Sequence, residues 1–163
     1  MRLLASTDIG VNALIYMAAA LPREVVQASE IQDCFGVVQS ALKRPFRILG
    51  DAGIITTRMG RTGGYSWLKD PSTVTLREVI ELLEVDFELA PILALDEDQN
   101  VRHPKATLRF VYERSRLAFL KELDRFTFAE IAGDPYTLTA LGLEHLKGKK
   151  TPFQSISPSG SNE

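Results

Sequence analysis

Cysteine occurs once in these 163 residues, at Cys34. A single thiol excludes an internal disulfide framework and fits a reducing cytoplasm. No apolar run approaches the ~20 residues of a membrane-spanning helix, so no membrane partner is expected. The start, MRLLASTDIG, carries an acid at Asp8 and leads into a helical pattern, and is not read as a signal peptide. Catalytic signatures are missing as well. There is no phosphate-binding P-loop, no Gly-x-Ser-x-Gly turn, no Cys–His nucleophile pair and no metal-ligand spacing of adequate specificity. The sequence is therefore read as non-enzymatic.

What is present suits one compact domain with an added helix and tail. Hydrophobic residues make up 45% and charged residues 25%, the ordinary balance of a globular protein with a real core. The net charge of −2 conceals a division. Residues 43–69 hold Lys43, Arg44, Arg47, Arg58, Arg61 and Lys69 against Asp51 alone, a local balance of +5. Residues 76–98 hold only Arg77 against eight acids, a balance of −7. One concentrated basic segment in a modestly acidic chain is an electrostatic footprint for nucleic acid, with a solvated basic face as the alternative.

The periodicity predicts a first helix from Thr7, capped by Ser6 or Thr7, with Ile9, Ala13, Leu14, Tyr16, Met17 and Ala20 at helical spacing and an end at Leu21-Pro22. A second helix is predicted over 28–35, stopped by Gly36. A third, capped by Ser40, is predicted to run to about Asp51, with Leu42, Phe46 and Leu49 as its apolar stripe. Pro45 falls inside it and removes the hydrogen bond to Ala41. Either that helix is kinked, or its regular part begins near Arg44 with Pro45 at the first position.

Helix, short turn, helix is the arrangement that sends a second helix into the DNA major groove. Residues 54–59 and 64–68 read as two strands around the turn in RMGRTGGY. Three helices and a hairpin make a winged helix. Gly60, Gly63 and Gly64 are expected to turn the wing with positive φ and to permit close backbone approach. Gln39, Ser40, Lys43 and Arg44 are the candidate contacts of the third helix. Arg58, Arg61, Thr62 and Gly63 are those of the wing, on phosphates or in the minor groove.

Thr75 is expected to cap a helix over 76–85 whose capping box is imperfect at Glu78. Residues 89–104 are acidic and without a consistent period, and read as a loop. A long helix over 105–125 carries Leu108, Val111, Tyr112, Leu117, Phe119, Leu120 and Leu123, too many apolar positions for a lone exposed helix. A homodimer seam is expected there, with packing inside the monomer as the alternative. Thr127 starts a short helix, and 136–147 is a further helical candidate. The resulting division is a winged helix-turn-helix domain over 1–88, a sensing-type loop over 89–104, the dimerisation and C-terminal helices over 105–150 and a Ser/Pro/Gly-rich tail over 151–163, expected to be disordered. The fold class is mostly α with a small β-hairpin (α+β).

Together these segments resemble the family of bacterial winged-helix repressors typified by IscR and NsrR, also called the Rrf-two family. MRLLASTDIGVNALIYMAA resembles its first helix. EIQDCFGVVQSALKRPFRILGDAGII follows its helix-turn-helix, and TTRMGRTGGYSWLKDPSTVTLREVIELLE its wing and fourth helix. RSRLAFLKELDRFTFAEIAG is similar to the end of its dimerisation helix, nearer the NsrR branch. The resemblance covers about residues 1–132 and implies a homodimeric, sequence-specific transcription regulator, usually a repressor, on a near-palindromic stretch of double-stranded DNA. Iron, iron–sulfur, nitric-oxide and redox responses are the signals it implies.

Two departures stand out. Cluster-binding members of the family supply three cysteines from the loop before the long helix. Here that loop, ELAPILALDEDQNVRHPKA, has none, which excludes an ordinary three-cysteine iron–sulfur site. An atypical cluster or metal site stays open, built from His103, Asp96, Glu97, Asp98 and Asp8, the last matching a position that gives a carboxylate ligand in some members. Cys34 is a further candidate, as a cofactor ligand or as a thiol sensor, against a small buried apolar residue. Family members also commonly place an aromatic where this chain has Ala41. The alternatives carried are a winged-helix protein-interaction module and a cluster-free regulator responding to a metabolite or to thiol oxidation.

Overall fold

The structure is a computed structural model that describes residues 3–61, 63–84 and 106–146. Helices α1 (Ala5–Ala19), α2 (Ala28–Phe35) and α3 (Gln39–Asp51) come first. Strands β1 (Ile55–Arg58) and β2 (Gly64–Trp67) follow, then α4 (Leu76–Leu83), the long α5 (Ala106–Leu123), α6 (Phe128–Gly133), α7 (Pro135–Ala140) and a 3-10 turn over Glu144–Leu146. The mostly helical class with a small hairpin is the one the sequence predicts. The expected loop over 89–104 and tail over 151–163 lie outside the described residues, as do Thr62, Asp96, Glu97, Asp98 and His103.

Helix α1 is the central element because it is apolar on nearly every side. Ala13, Leu14, Ile15, Tyr16 and Met17 are all buried. Around it pack Ile31 of α2, Leu42, Phe46 and Leu49 of α3, Val79 and Leu83 of α4 and Phe128 of α6. Each buried Leu, Ile or Phe contributes about 1.5–3 kcal/mol relative to exposure. The C-terminal helices belong to this same core. Phe128 lies against Trp67 with ring centroids 5.7 Å apart. The Leu76 and Phe128 N–H groups donate to the Phe126 and Val74 carbonyls at 2.9 and 3.1 Å, stitching the start of α4 to the start of α6.

The first helix begins earlier than its sequence suggests. Its N-cap is Leu4, and neither Ser6 nor Thr7 caps it. Both lie within the first turn, and Thr7 is fully buried. The helix start is held from a distance instead: the Leu4 N–H donates to Glu84 Oε1 at 2.7 Å. Helix α3 likewise starts at Gln39, with Val38 rather than Ser40 at its N-cap. Pro45 sits well inside that helix and not at its first position.

The tertiary packing around Pro45 explains its place. A Cβ added to Gly10 would stand 3.0 Å from Pro45 Cβ and 2.8 Å from Leu83 Cδ1. The bare backbone of Gly10 therefore lets α1 receive the Pro45 ring and the Leu83 side chain at once.

Other boundaries shift slightly. Thr75 does cap α4, accepting from the Glu78 N–H at 3.2 Å, while the Glu78 carboxylate turns to Lys69 Nζ at 2.8 Å. The helix stops at Leu83 because Glu84 is extended and reaches back to α1. Thr127 and Glu130 form a complete capping box for α6. The segment expected as one helix over 136–147 is divided by Gly142, whose φ of 67° is left-handed.

Candidate nucleic-acid interface

Helices α2 and α3 are joined by a tight connection whose pivot is Gly36, with φ 63°. Glu30 fixes the start of α2 by accepting the Gln27 N–H at 2.9 Å and pairing with Arg23 at 2.6 Å. On α3 the buried stripe of Leu42, Phe46 and Leu49 leaves Gln39, Ser40, Lys43 and Arg47 exposed along another face at helical spacing. Amide, hydroxyl, ammonium and guanidinium groups there can bond base edges and phosphates. Val38 stands at the front of the same helix and is 67% exposed. The sequence reading placed it in the turn between the two helices and did not count it as a contact. Its exposure is the signal.

Arg44 has a different setting from its neighbours. It is half-buried, and its guanidinium donates to Ser6 Oγ at 2.8 Å and to the Leu83 carbonyl at 3.4 Å. It ties α3 to the first turn of α1 and to the last turn of α4.

The wing is an antiparallel pair in which Ile55 faces Trp67, Thr57 faces Tyr65 and Arg58 faces Gly64. Val26 adds a third rung, exchanging hydrogen bonds with Tyr65 at 2.9 and 2.8 Å. Tyr65 also stacks on Phe46 with centroids 4.0 Å apart, which locks the wing to α3. The glycines act differently from their expected role. Only Gly60 has a positive φ, 112°. Gly63 and Gly64 are needed for space: a Cβ on Gly63 would run into the Arg58 carbonyl, and one on Gly64 into the Val26 carbonyl. The close approach is thus to the protein's own backbone.

Arg61 is exposed at the tip, where the Gly63 N–H donates to the Gly60 carbonyl at 3.0 Å. Arg58 is about half exposed and pairs with Glu24 at 3.6 Å. Between them Met59 is 93% exposed, a second residue the sequence reading did not single out.

The cofactor candidates do not converge. Asp8 is exposed in the first turn of α1, where a carboxylate meets the positive end of the helix. Cys34 is half-buried near the end of α2, and burial pushes its thiol pKa up. Among the described residues no three His, Cys, Asp or Glu side chains are grouped to hold a metal ion. A three-thiolate cluster does not fit a sequence with a single cysteine.

The long helix α5 is anchored through its C-terminal part, where Leu120 is buried. Leu108, Phe110, Val111, Tyr112 and Leu117 are exposed. No described helix is long and apolar enough to cross a membrane.

Comparison with known proteins gives these features a context. The Rrf2 family model, described as an iron-dependent transcriptional regulator, matches residues 3–134. The transcriptional regulator NsrR of Bacillus subtilis is 28% identical over 131 residues, spanning 80% of this chain and 90% of the relative. Among solved structures, the oxidized form of Staphylococcus aureus CymR superposes with a TM-score of 0.66 at 20% identity, covering 82% of this chain and 98% of that one. T. potens IscR superposes with a TM-score of 0.64 at 17% identity, covering 93% and 94%.

Proposed function

Because this chain belongs to the Rrf2 family and is a DNA-binding transcription regulator, we propose that it acts as a homodimeric repressor on a near-palindromic operator, with α3 in the major groove and the β1–β2 wing on the flanking backbone or minor groove. The observation that carries this reading is the polar and cationic face of α3, opposite its buried stripe and locked to a wing that displays Arg58 and Arg61. Gln39, Ser40 and Lys43 meet base edges and phosphates, Gln favouring adenine and Lys guanine. Val38 adds an apolar contact suited to a thymine methyl group. Arg58, Arg61, Thr62 and Gly63 serve the wing contact. Arg44 holds α3 in place and does not reach bases.

The exposed apolar residues of α5 support the dimer. Leu108, Val111 and Tyr112 follow one another at helical spacing and are exposed, whereas Leu120 nearer the end of the helix is buried. Two-fold symmetry then sets the half-sites about one helical turn, roughly 10 base pairs, apart.

The donor set supports a regulator without the ordinary iron–sulfur cluster, one that reads another signal. The test is selection of duplexes from a randomised pool, followed by footprinting and sedimentation of the complex. Two protected half-sites about 10 base pairs apart and two chains per duplex are expected. One chain on a single site, or no enriched sequence, would overturn the reading.

A further inference from the structure

We propose that Met59 is an oxidant-sensitive contact of the wing, its thioether entering the DNA minor groove beside Arg58 and Arg61, and its sulfoxide weakening the complex. This rests on the DNA-binding reading above.

A single exposed apolar side chain is unexceptional in itself. Met59 differs in where it is held. It is 93% exposed, directly after the last residue of β1 and two residues before Arg61. The strand that carries it is held in place. Pairing of Tyr65 with Val26 and the Phe46–Tyr65 stack at 4.0 Å tie the hairpin to the domain, and the Gly63 N–H donates to the Gly60 carbonyl at 3.0 Å beside Met59. An unbranched apolar chain is therefore presented between two cations that favour the minor groove. Methionine is one of the side chains that insert against base steps there.

The same exposure makes the sulfur an accessible target for a hydroperoxide. The peroxide O–O bond breaks and one oxygen joins the sulfur as a sulfoxide. The sulfur gives up two electrons, and the rest of the peroxide leaves as water or alcohol. The product is polar where the side chain was apolar, so it loses the groove contact. Among the described residues the other sulfurs are shielded by burial. Met17 is 1% exposed within α1. Cys34 is half-buried, with its thiol held in the protonated, slow-reacting form.

The test uses full-length protein and the duplex that the wild type enriches from a randomised pool. Each protein is treated with hydrogen peroxide and compared with its own untreated sample, and peptide mass spectrometry locates the added oxygen. Wild type and Cys34→Ala should each lose about tenfold in affinity, with the oxygen on Met59. Met59→Leu should lose nothing on treatment. Untreated Met59→Gln should bind about tenfold more weakly than wild type. Equal losses in Met59→Leu and wild type, a resistant Cys34→Ala, unmodified Met59 in the weakened sample, or wild-type affinity in Met59→Gln would each overturn the proposal. Failure of untreated wild type to enrich any duplex would instead remove the DNA-binding reading beneath it.

Discussion

The Arg44 guanidinium donates to Ser6 Oγ at 2.8 Å, so a cation of the helix-turn-helix is engaged inside the protein. Its second bond, to the Leu83 carbonyl at 3.4 Å, brings the start of α1, the middle of α3 and the end of α4 to one point. Arg44→Ala should lower stability by about 1–2 kcal/mol in urea unfolding. It should also weaken DNA binding without changing the salt dependence, because no phosphate contact is lost. A salt slope reduced by about one unit would place Arg44 on the DNA backbone instead.

Gly10 should not tolerate a methyl group. Alanine normally favours a helix over glycine by about 1 kcal/mol. Here the new Cβ would stand 3.0 Å from the rigid Pro45 ring and 2.8 Å from Leu83 Cδ1, and Leu83 is fully buried with little room to yield. Overpacking of this kind costs about 1–3 kcal/mol. Gly10→Ala should therefore unfold at lower urea by a net of about 1 kcal/mol, and a stabilised variant would show that the three helices can separate freely.

These two sites mark where the sequence was legible and where it was not. Signals carried by one or two residues read correctly: Gly36 ends α2, Thr75 caps α4, Thr127 marks the start of α6, and the β-branched and aromatic residues around the Gly-containing turn make the hairpin. Features set by distant residues did not. Ser6 and Thr7 resemble caps, yet the start of α1 is held by Glu84, 80 residues away. Pro45 resembles a helix start, yet tertiary packing against Gly10 accommodates it within α3. Among the candidate contacts, Gln39, Ser40, Lys43 and Arg61 are exposed, whereas Arg44 is tied down. The basic residue type alone does not distinguish them.

Val38 should read the 5-methyl group of thymine. Burying a group of that size contributes about 0.8 kcal/mol, or about fourfold in affinity. Replacing the contacted thymine by deoxyuridine should cost the wild type that factor, and Val38→Ala should be nearly indifferent to the exchange. Equal sensitivity of both proteins would remove Val38 from the interface.

Cys34 should be a slow thiol. Burial favours its neutral form, so the reactive thiolate appears only above the ordinary cysteine range. Alkylation by iodoacetamide near neutral pH should be slower than that of free cysteine, and should accelerate as the pH is raised. Reaction at neutral pH faster than free cysteine would identify an activated sensor thiol.

The most direct test of DNA recognition by the wing is the salt dependence of operator affinity for wild type and Arg61→Ala. Arg61 is exposed at the tip of the wing, so its side chain can be removed without opening the core. The variant should bind more weakly, with the slope of log affinity against log salt smaller in magnitude by about one unit. Unchanged affinity and slope would contradict a wing that holds the DNA.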